Sequence, residues 1–263
     1  MADLTARELY VLELINRARS DPGREASRLG IDLNENLTPG TISYDPKQPL
    51  AHNSALNDAA TSHSIDMRVD GFFAHQNPNN FSTPASRAAA AGYGSSFVGE
   101  NIARRGTTAP HTDSVKDAQN QSAHDGLFKS SGHRTNLMRE DYREIGLGNE
   151  FGPYTPSTTT FNGLHHTQLF GTDFSSSDRF ITGVTYNDSD NSGLYSIGEG
   201  VSGVNISFGA AGSTSVSAAG GYQAALASNA AHSISFTGTG VSGGSGSATF
   251  SIGTQNVKID LIN

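Results

Sequence analysis

The chain has 263 residues, 25 acidic against 17 basic, a net charge of −8 and no cysteine. Disulfides and thiolate metal sites are therefore excluded, and no basic run offers to neutralise a nucleic-acid backbone or an anionic membrane surface. No stretch reaches the ~20 apolar residues of a membrane helix, and the opening MADLTARELY lacks the apolar core of a signal peptide, so no transmembrane segment is expected.

In chain order, Thr5 with Glu8 reads as a capping box. Leu9, Leu12 and Ile15 follow at helical spacing, and Asp21-Pro22-Gly23 ends the run. A second helix is expected in NSALNDAATSHSIDMRVDG, with Leu56, Ala59, Ala60, His63 and Met67 on one face and Gly71 as terminator. A third runs from Pro84 to Ala91, and a weaker fourth spans about 113 to 128. REIGLGNEF, TTTFNGLHHTQLFG and RFITGVTY read as strands.

Near residue 175 the composition shifts from charged, helix-forming residues to Gly, Ser, Ala and β-branched ones, with FSSSD (174 to 178) as the junction. The sequence thus divides into a first domain over 1–174, a linker over 175–178 and a second domain over 179–263. In the second, GVNISF, HSISFTG, SATFSIG and VKIDLI are short strands at regular spacing, the pattern of a small all-β sandwich. Gly240-Val241-Ser242-Gly243-Gly244 fits the nucleophile-elbow pattern but lies in a low-complexity loop with no helix after it, and is set aside.

The sharpest local signal is NDSDNSGLYSIGEG. Oxygen-bearing side chains recur at Asp188, Asp190 and Ser192, Gly193 supplies a sharp turn, and Glu199 closes the loop eleven residues after Asp188. That is the spacing of a twelve-residue calcium loop, with the Leu194 carbonyl as a ligand, Ser196 near the water position and Glu199 bidentate. The flanks look like strands, so the expectation is a calcium-stabilised loop grafted onto a β domain. An Asx-rich turn is the competing reading.

Nine histidines are present. His63 lies on the apolar face of its helix and reads as a core residue, while His52, His111 and His124 sit in polar contexts and read as solvated. Of the others, His75, His133 and the adjacent His165 and His166 merit weighing. If TTTFNGLHHTQLFG is a strand, neighbouring side chains point to opposite faces, so at most one of the pair reaches any one site. Glu100 in FVGENIA is the most conspicuous carboxylate. Spacing alone does not connect it to His75 or His165, which lie 25 residues before and 65 after it.

Several segments, in order, resemble motifs of the CAP superfamily of cysteine-rich secretory, antigen 5 and pathogenesis-related proteins, most closely its bacterial exported branch. They are VLELINRAR, LNDAATSHSIDM, FFAHQNP, GYGSSFVGENIA, SSGHRTNLMREDYREIGLG and HHTQLFG, together covering about residues 5 to 174. The resemblance implies an α+β fold, an α-β-α sandwich whose cleft holds two histidines and usually two acids, occupied in some members by zinc or another divalent ion. Carried over, His75 and His165 are the histidines and Glu100 the first acid. Ser130 stands where the second acid is expected, and the Ser-x-Gly-His-Arg segment implies that His133 lies near the cleft. The tail resembles the calcium-binding B-type or carboxypeptidase-regulatory-like sandwiches of bacterial surface proteins.

The leading functional expectation is an extracellular or cell-surface bacterial protein that binds a ligand, lipid or protein partner, with calcium in the tail loop. One rival is a metal-dependent hydrolase using His75, Glu100 and His165. Another is an adhesion or spacer module. No catalysis is assigned.

Overall fold

The computed structural model describes residues 4–177 and 179–263. Residues 1–3, at the start of the expected first domain, and Asp178, the last residue of the expected linker, lie outside the described residues. Contacts divide the chain into two compact units, one formed by Leu14–Lys47 and Asn53–Asp173, the other by residues 4–13, Gln48–His52 and Phe174–Asn263. The helices are α1 (Ala6–Ser20), α2 (Pro22–Leu29), α3 (Ser54–Val69), α4 (Pro84–Ala90), α5 (Asp113–Lys129) and α6 (Ser131–Leu137). The first capping box is present: the Thr5 N–H donates to Glu8 Oε2 at 2.9 Å and the Glu8 N–H to Thr5 Oγ1 at 3.2 Å. Asp21-Pro22 ends α1 as expected but also opens α2, with Asp21 as its N-cap and Pro22 in its first turn.

The helical unit is built on the strands β2 (Val98–Thr107), β3 (Glu144–Tyr154) and β4 (Phe161–Gly171), antiparallel with β4 central and β2 at the edge. Register fixes the faces. Glu100, Leu169 and Gly146 stand side by side, as do Ile102, Thr167 and Gly148, and then Arg104, His165 and Glu150. On this face lies α3, whose buried stripe is Leu56, Ala59, Ala60, His63, Ser64 and Met67. Ser64 donates to the Gly148 carbonyl at 3.0 Å and meets the Thr167 hydroxyl at 2.8 Å. The approach requires Gly146 and Gly148, because a Cβ on either would run into the α3 backbone at Leu56–Asn57 or Ala60. On the other face Phe170 stacks on Tyr142 at 5.3 Å, and α5 packs against β2 and β4.

With no disulfide, buried arginines tie segments of this unit together. Arg19 donates to the carbonyls of Leu137 (2.7 Å) and Arg139 (3.0 Å), and Arg134 to those of Leu33 (2.9 Å), Phe128 (2.9 Å) and Glu35. Each guanidinium converts several stranded carbonyls into satisfied acceptors.

The second unit includes the two-residue β1 (Ala51–His52) and eight strands after residue 178: β5 (Arg179–Tyr186), β6 (Asn205–Ser207), β7 (Ser213–Ser215), β8 (Gly221–Leu226), β9 (Ala230–Thr237), β10 (Ser245–Ile252), β11 (Val257–Lys258) and β12 (Leu261–Ile262). One sheet has the order β10-β9-β6-β7. In the other, β5 pairs antiparallel with β8 and parallel with β11 and β12. Ile181, Tyr222 and Leu226 from the second share a buried core with Ile206, Ile234, Phe236 and Ile252 from the first.

Candidate functional site

Glu100 is the hub of the candidate site. It points from edge strand β2 toward the α3 and α4 side, its side chain 2% exposed. Arg87 of α4 donates to Glu100 Oε2 at 2.5 Å and also to the carbonyls of His75 (3.1 Å) and Ser82 (3.0 Å), pinning the loop after α3 to the strand. That loop delivers His75, whose Nδ1 lies 2.8 Å from Glu100 Oε1. The His75 side chain is 52% exposed, so it forms the accessible end of a buried charge array. Behind it, fully buried His63 bonds the Ala74 carbonyl through Nε2 at 2.9 Å, in the core position expected for it, while among the described residues its Nδ1 has no hydrogen-bond partner. Burial lowers the His63 pKa against the opposing pull of Glu100.

His133 completes the cluster. Its Nδ1 meets the Ser130 hydroxyl at 2.7 Å, and its pKa is lowered by burial and by the nearby His75. Ser130 and His133 line a cavity of about 280 Å³ together with Phe73, Ile102, Arg104 and Arg105.

His165 is not part of this group. It shares the sheet face of Glu100 but pairs with Arg104, while Glu100 pairs with Leu169. At about 3.4 Å per residue those four positions amount to roughly 14 Å along the strands. The ring packs edge-on against Tyr154 at 5.0 Å, and burial, with Arg104 and Arg68 assisting, pushes its pKa down to about 4. His166 points to the opposite face, bonded through Nδ1 to Asn149 Oδ1 at 2.5 Å. Burial and the neighbouring His124 push it down to about 3. The adjacent histidines thus serve two different layers of the unit.

A cleft transition ion does not fit these residues. Both Glu100 oxygens are engaged, one of them by a guanidinium that competes directly with a cation. His75 and Glu100 alone fall short of the three protein ligands a catalytic zinc keeps. Among the described residues, His75, Glu100 and His165 do not converge as a ligand group.

His124, expected to be solvated, is fully buried, and His52 is only 4% exposed. The reason for the first is Glu25, 99 residues away in sequence, which accepts from His124 Nε2 at 2.9 Å, from Arg28 at 2.6 Å and from Arg17 at 3.1 Å. Burial alone would raise the Glu25 pKa, but the bonds from His124 and Arg28 outweigh it and hold the carboxyl far below its usual range. Arg87, the residue that fixes Glu100, gave no signal in an alanine-rich helix.

In the second unit the carboxylates of Asp188, Asp190 and Glu199 offer oxygens within 4.8 Å of one another. Asn191 and Gly193 adopt positive φ (55° and 71°), which turns the loop tightly. The Ser192 N–H donates to Asp188 and Asp190 (both 2.9 Å), the Ser192 hydroxyl to the Leu194 carbonyl (2.9 Å) and the Ser196 hydroxyl to Asp190 (2.9 Å). Hydrogen bonds from Ser192 and Ser196 lower the Asp190 pKa. All six residues expected from spacing sit in one loop.

Three antiparallel strands with helices on both faces, carrying a buried Glu100 paired with an exposed His75 at the sheet edge, define a mixed α+β domain of the SCP type. The chain belongs to the CAP family, the cysteine-rich secretory protein family, whose profile matches residues 12–170. Similar solved structures include an extracellular SCP-domain protein of Bacillus anthracis (22% identity, 66% of this chain and 45% of that one, TM-score 0.39). Others are an outer surface protein of Borrelia burgdorferi (15%, 65% and 95%, TM-score 0.41) and the venom allergen-like protein 4 of Schistosoma mansoni (13%, 65% and 91%, TM-score 0.39). The chain therefore spans less than half the length of the Bacillus protein. No curated protein matches the chain. Among the described residues no helix is long and apolar enough to cross a membrane.

Proposed function

We propose that the chain is an extracellular binding protein of the bacterial CAP branch. In this reading residues 1–174 form an α-β-α domain that offers its cleft to a ligand or partner, and residues 179–263 form a calcium-stabilised β-sandwich. The observation that carries binding over hydrolysis is the engagement of Glu100 by Arg87 and His75, which leaves that carboxylate neither an open metal ligand nor a free general base. Membership of a secretory family supports the extracellular setting.

Calorimetric titration of zinc into the metal-stripped chain tests the cleft. The heat should be the same for wild type and Glu100→Gln; a one-to-one isotherm that disappears in Glu100→Gln would restore the metallohydrolase reading. The calcium reading rests on the convergence of Asp188, Asp190 and Glu199. Its test is the melting temperature with calcium and with chelator, and an unchanged value would make the loop an ordinary turn.

A further inference from the structure

Beside the Ser130–His133 pair, the cavity of about 280 Å³ is floored by buried Ile102 and Ala103 of β2. Successive residues of a strand project to opposite faces. Ile102 and Arg104 therefore lie on the α3 face, and Ala103 and Arg105 on the α5 face. Phe73, from the loop after α3, forms the wall on the first side, and Gly126 and Leu127 of α5 form it on the second. Although acids outnumber bases in the chain, no carboxylate lines the cavity among the described residues.

The two arginines are used differently. Arg105 is engaged internally: it donates to the Ser122 carbonyl at 2.8 Å and hydroxyl at 3.0 Å, and it lies so close to Gly126 that a Cβ there would strike its guanidinium. Arg104 rests between the rings of Phe73 and Tyr154, 5.1 and 5.0 Å from their centres, and among the described residues no carboxylate is at ion-pair distance from it. Ring faces order a guanidinium without neutralising it. Phe73 remains 42% exposed, so apolar surface lies open next to the charge. The His133 ring, whose pKa is lowered by burial and by His75, is neutral near pH 7 and adds no second charge at that end. In a chain of net charge −8 the cavity thus offers an ordered, uncompensated cation beside an apolar surface.

We propose that this cavity binds a small carboxylate with a compact apolar body, the carboxylate on Arg104 and the body against Phe73, Ile102 and Leu127. The planar guanidinium fork matches a carboxylate, and its placement by two rings lowers the entropy lost on binding. The volume falls just below the roughly 300–1,000 Å³ of sites for drug-sized ligands, which suits a compact body. Arg105, on the opposite face and held by Ser122, is wall rather than anchor. The inference names the ligand class for the binding reading given above and rests on it.

Ligand-observed NMR titration of phenylacetate into the full chain tests it, with phenylacetamide as the uncharged isostere. Phenylacetate should saturate one site with a dissociation constant of about 10 mM or below, within the binding energy available to so small a ligand. Replacing it by the amide, or using Arg104→Gln protein with an unchanged melting temperature, should weaken binding by about tenfold or more, and Arg105→Gln by about threefold at most, since Arg105 acts only through a screened field. The amide comparison needs no protein variant, so misfolding cannot mimic its effect. No saturation by phenylacetate, equal binding of the amide, unchanged binding in Arg104→Gln, or equal losses in the two arginine variants would overturn the proposal. The zinc titration judges the underlying binding reading separately.

Discussion

His165 and His166 make a prediction about acid sensitivity that can be worked through quantitatively. In the folded chain burial holds them neutral, with pKa values pushed down to about 4 and about 3, whereas an unfolded histidine titrates near 6.5. Between those limits the unfolded state binds more protons, so this contribution to stability is complete above about pH 6.5 and declines as the pH falls through the window. For His165, going from pH 7 to pH 5 removes roughly 2 kcal/mol, an appreciable part of the ~5–15 kcal/mol that holds a typical fold. Buried Glu13 acts in the opposite sense, because burial raises its carboxyl to about 7, partly offset by Lys258. Comparing wild type with His165→Gln removes that contribution, which is common to both. Urea denaturation at pH 7 and pH 5 should show the cost of His165→Gln shrinking by roughly 2 kcal/mol at the lower pH. A cost that does not change with pH would refute the assignment of a neutral, buried ring.

Other perturbations follow from the packing. Glu25→Gln leaves Arg17, Arg28 and His124 without their shared acceptor, and loss of a buried charge partner costs about 3–5 kcal/mol, seen as a melting temperature lowered by roughly 10 °C. Because the Glu25 carboxyl is depressed in the fold, its stabilisation is present above the unfolded value near 4.3 and is lost only in stronger acid. Gly148→Ala drives a methyl group into the Ala60 carbonyl and should destabilise by at least about 1–3 kcal/mol, whereas Gly132→Ala meets nothing within 4 Å and should be neutral or stabilising in a thermal melt. Calcium at a hundred times its dissociation constant should stabilise the second unit by about 2.7 kcal/mol, an upward shift in its melting transition that Glu199→Gln abolishes.

Much of the local structure was legible because its causes are local. The α3 face repeats at helical spacing, the Thr5–Glu8 capping box lies within one turn, and the gathered carboxylates of Asp188, Asp190 and Glu199 come from one short loop. Strand β2 was missed, since VGENIARRGT has neither an apolar run nor clean alternation and is specified by pairing with β4, some 60 residues later. His124 was misread for a similar reason: nothing near it in sequence announces Glu25, the partner that makes its burial tolerable. Family resemblance named His75 and Glu100 as cleft residues, and the structure sets the two in contact. The four register positions separating His165 from Leu169, and the Arg87 guanidinium on Glu100, are tertiary facts with no sequence spacing to reveal them.

The central claim is that the guanidinium-held Glu100 cleft works without a transition metal. Elemental analysis of the purified full chain, prepared without chelator, tests it most directly. The account predicts zinc well below one equivalent per chain and calcium close to one. Zinc near one equivalent, lost in both His75→Ala and Glu100→Gln, would contradict it.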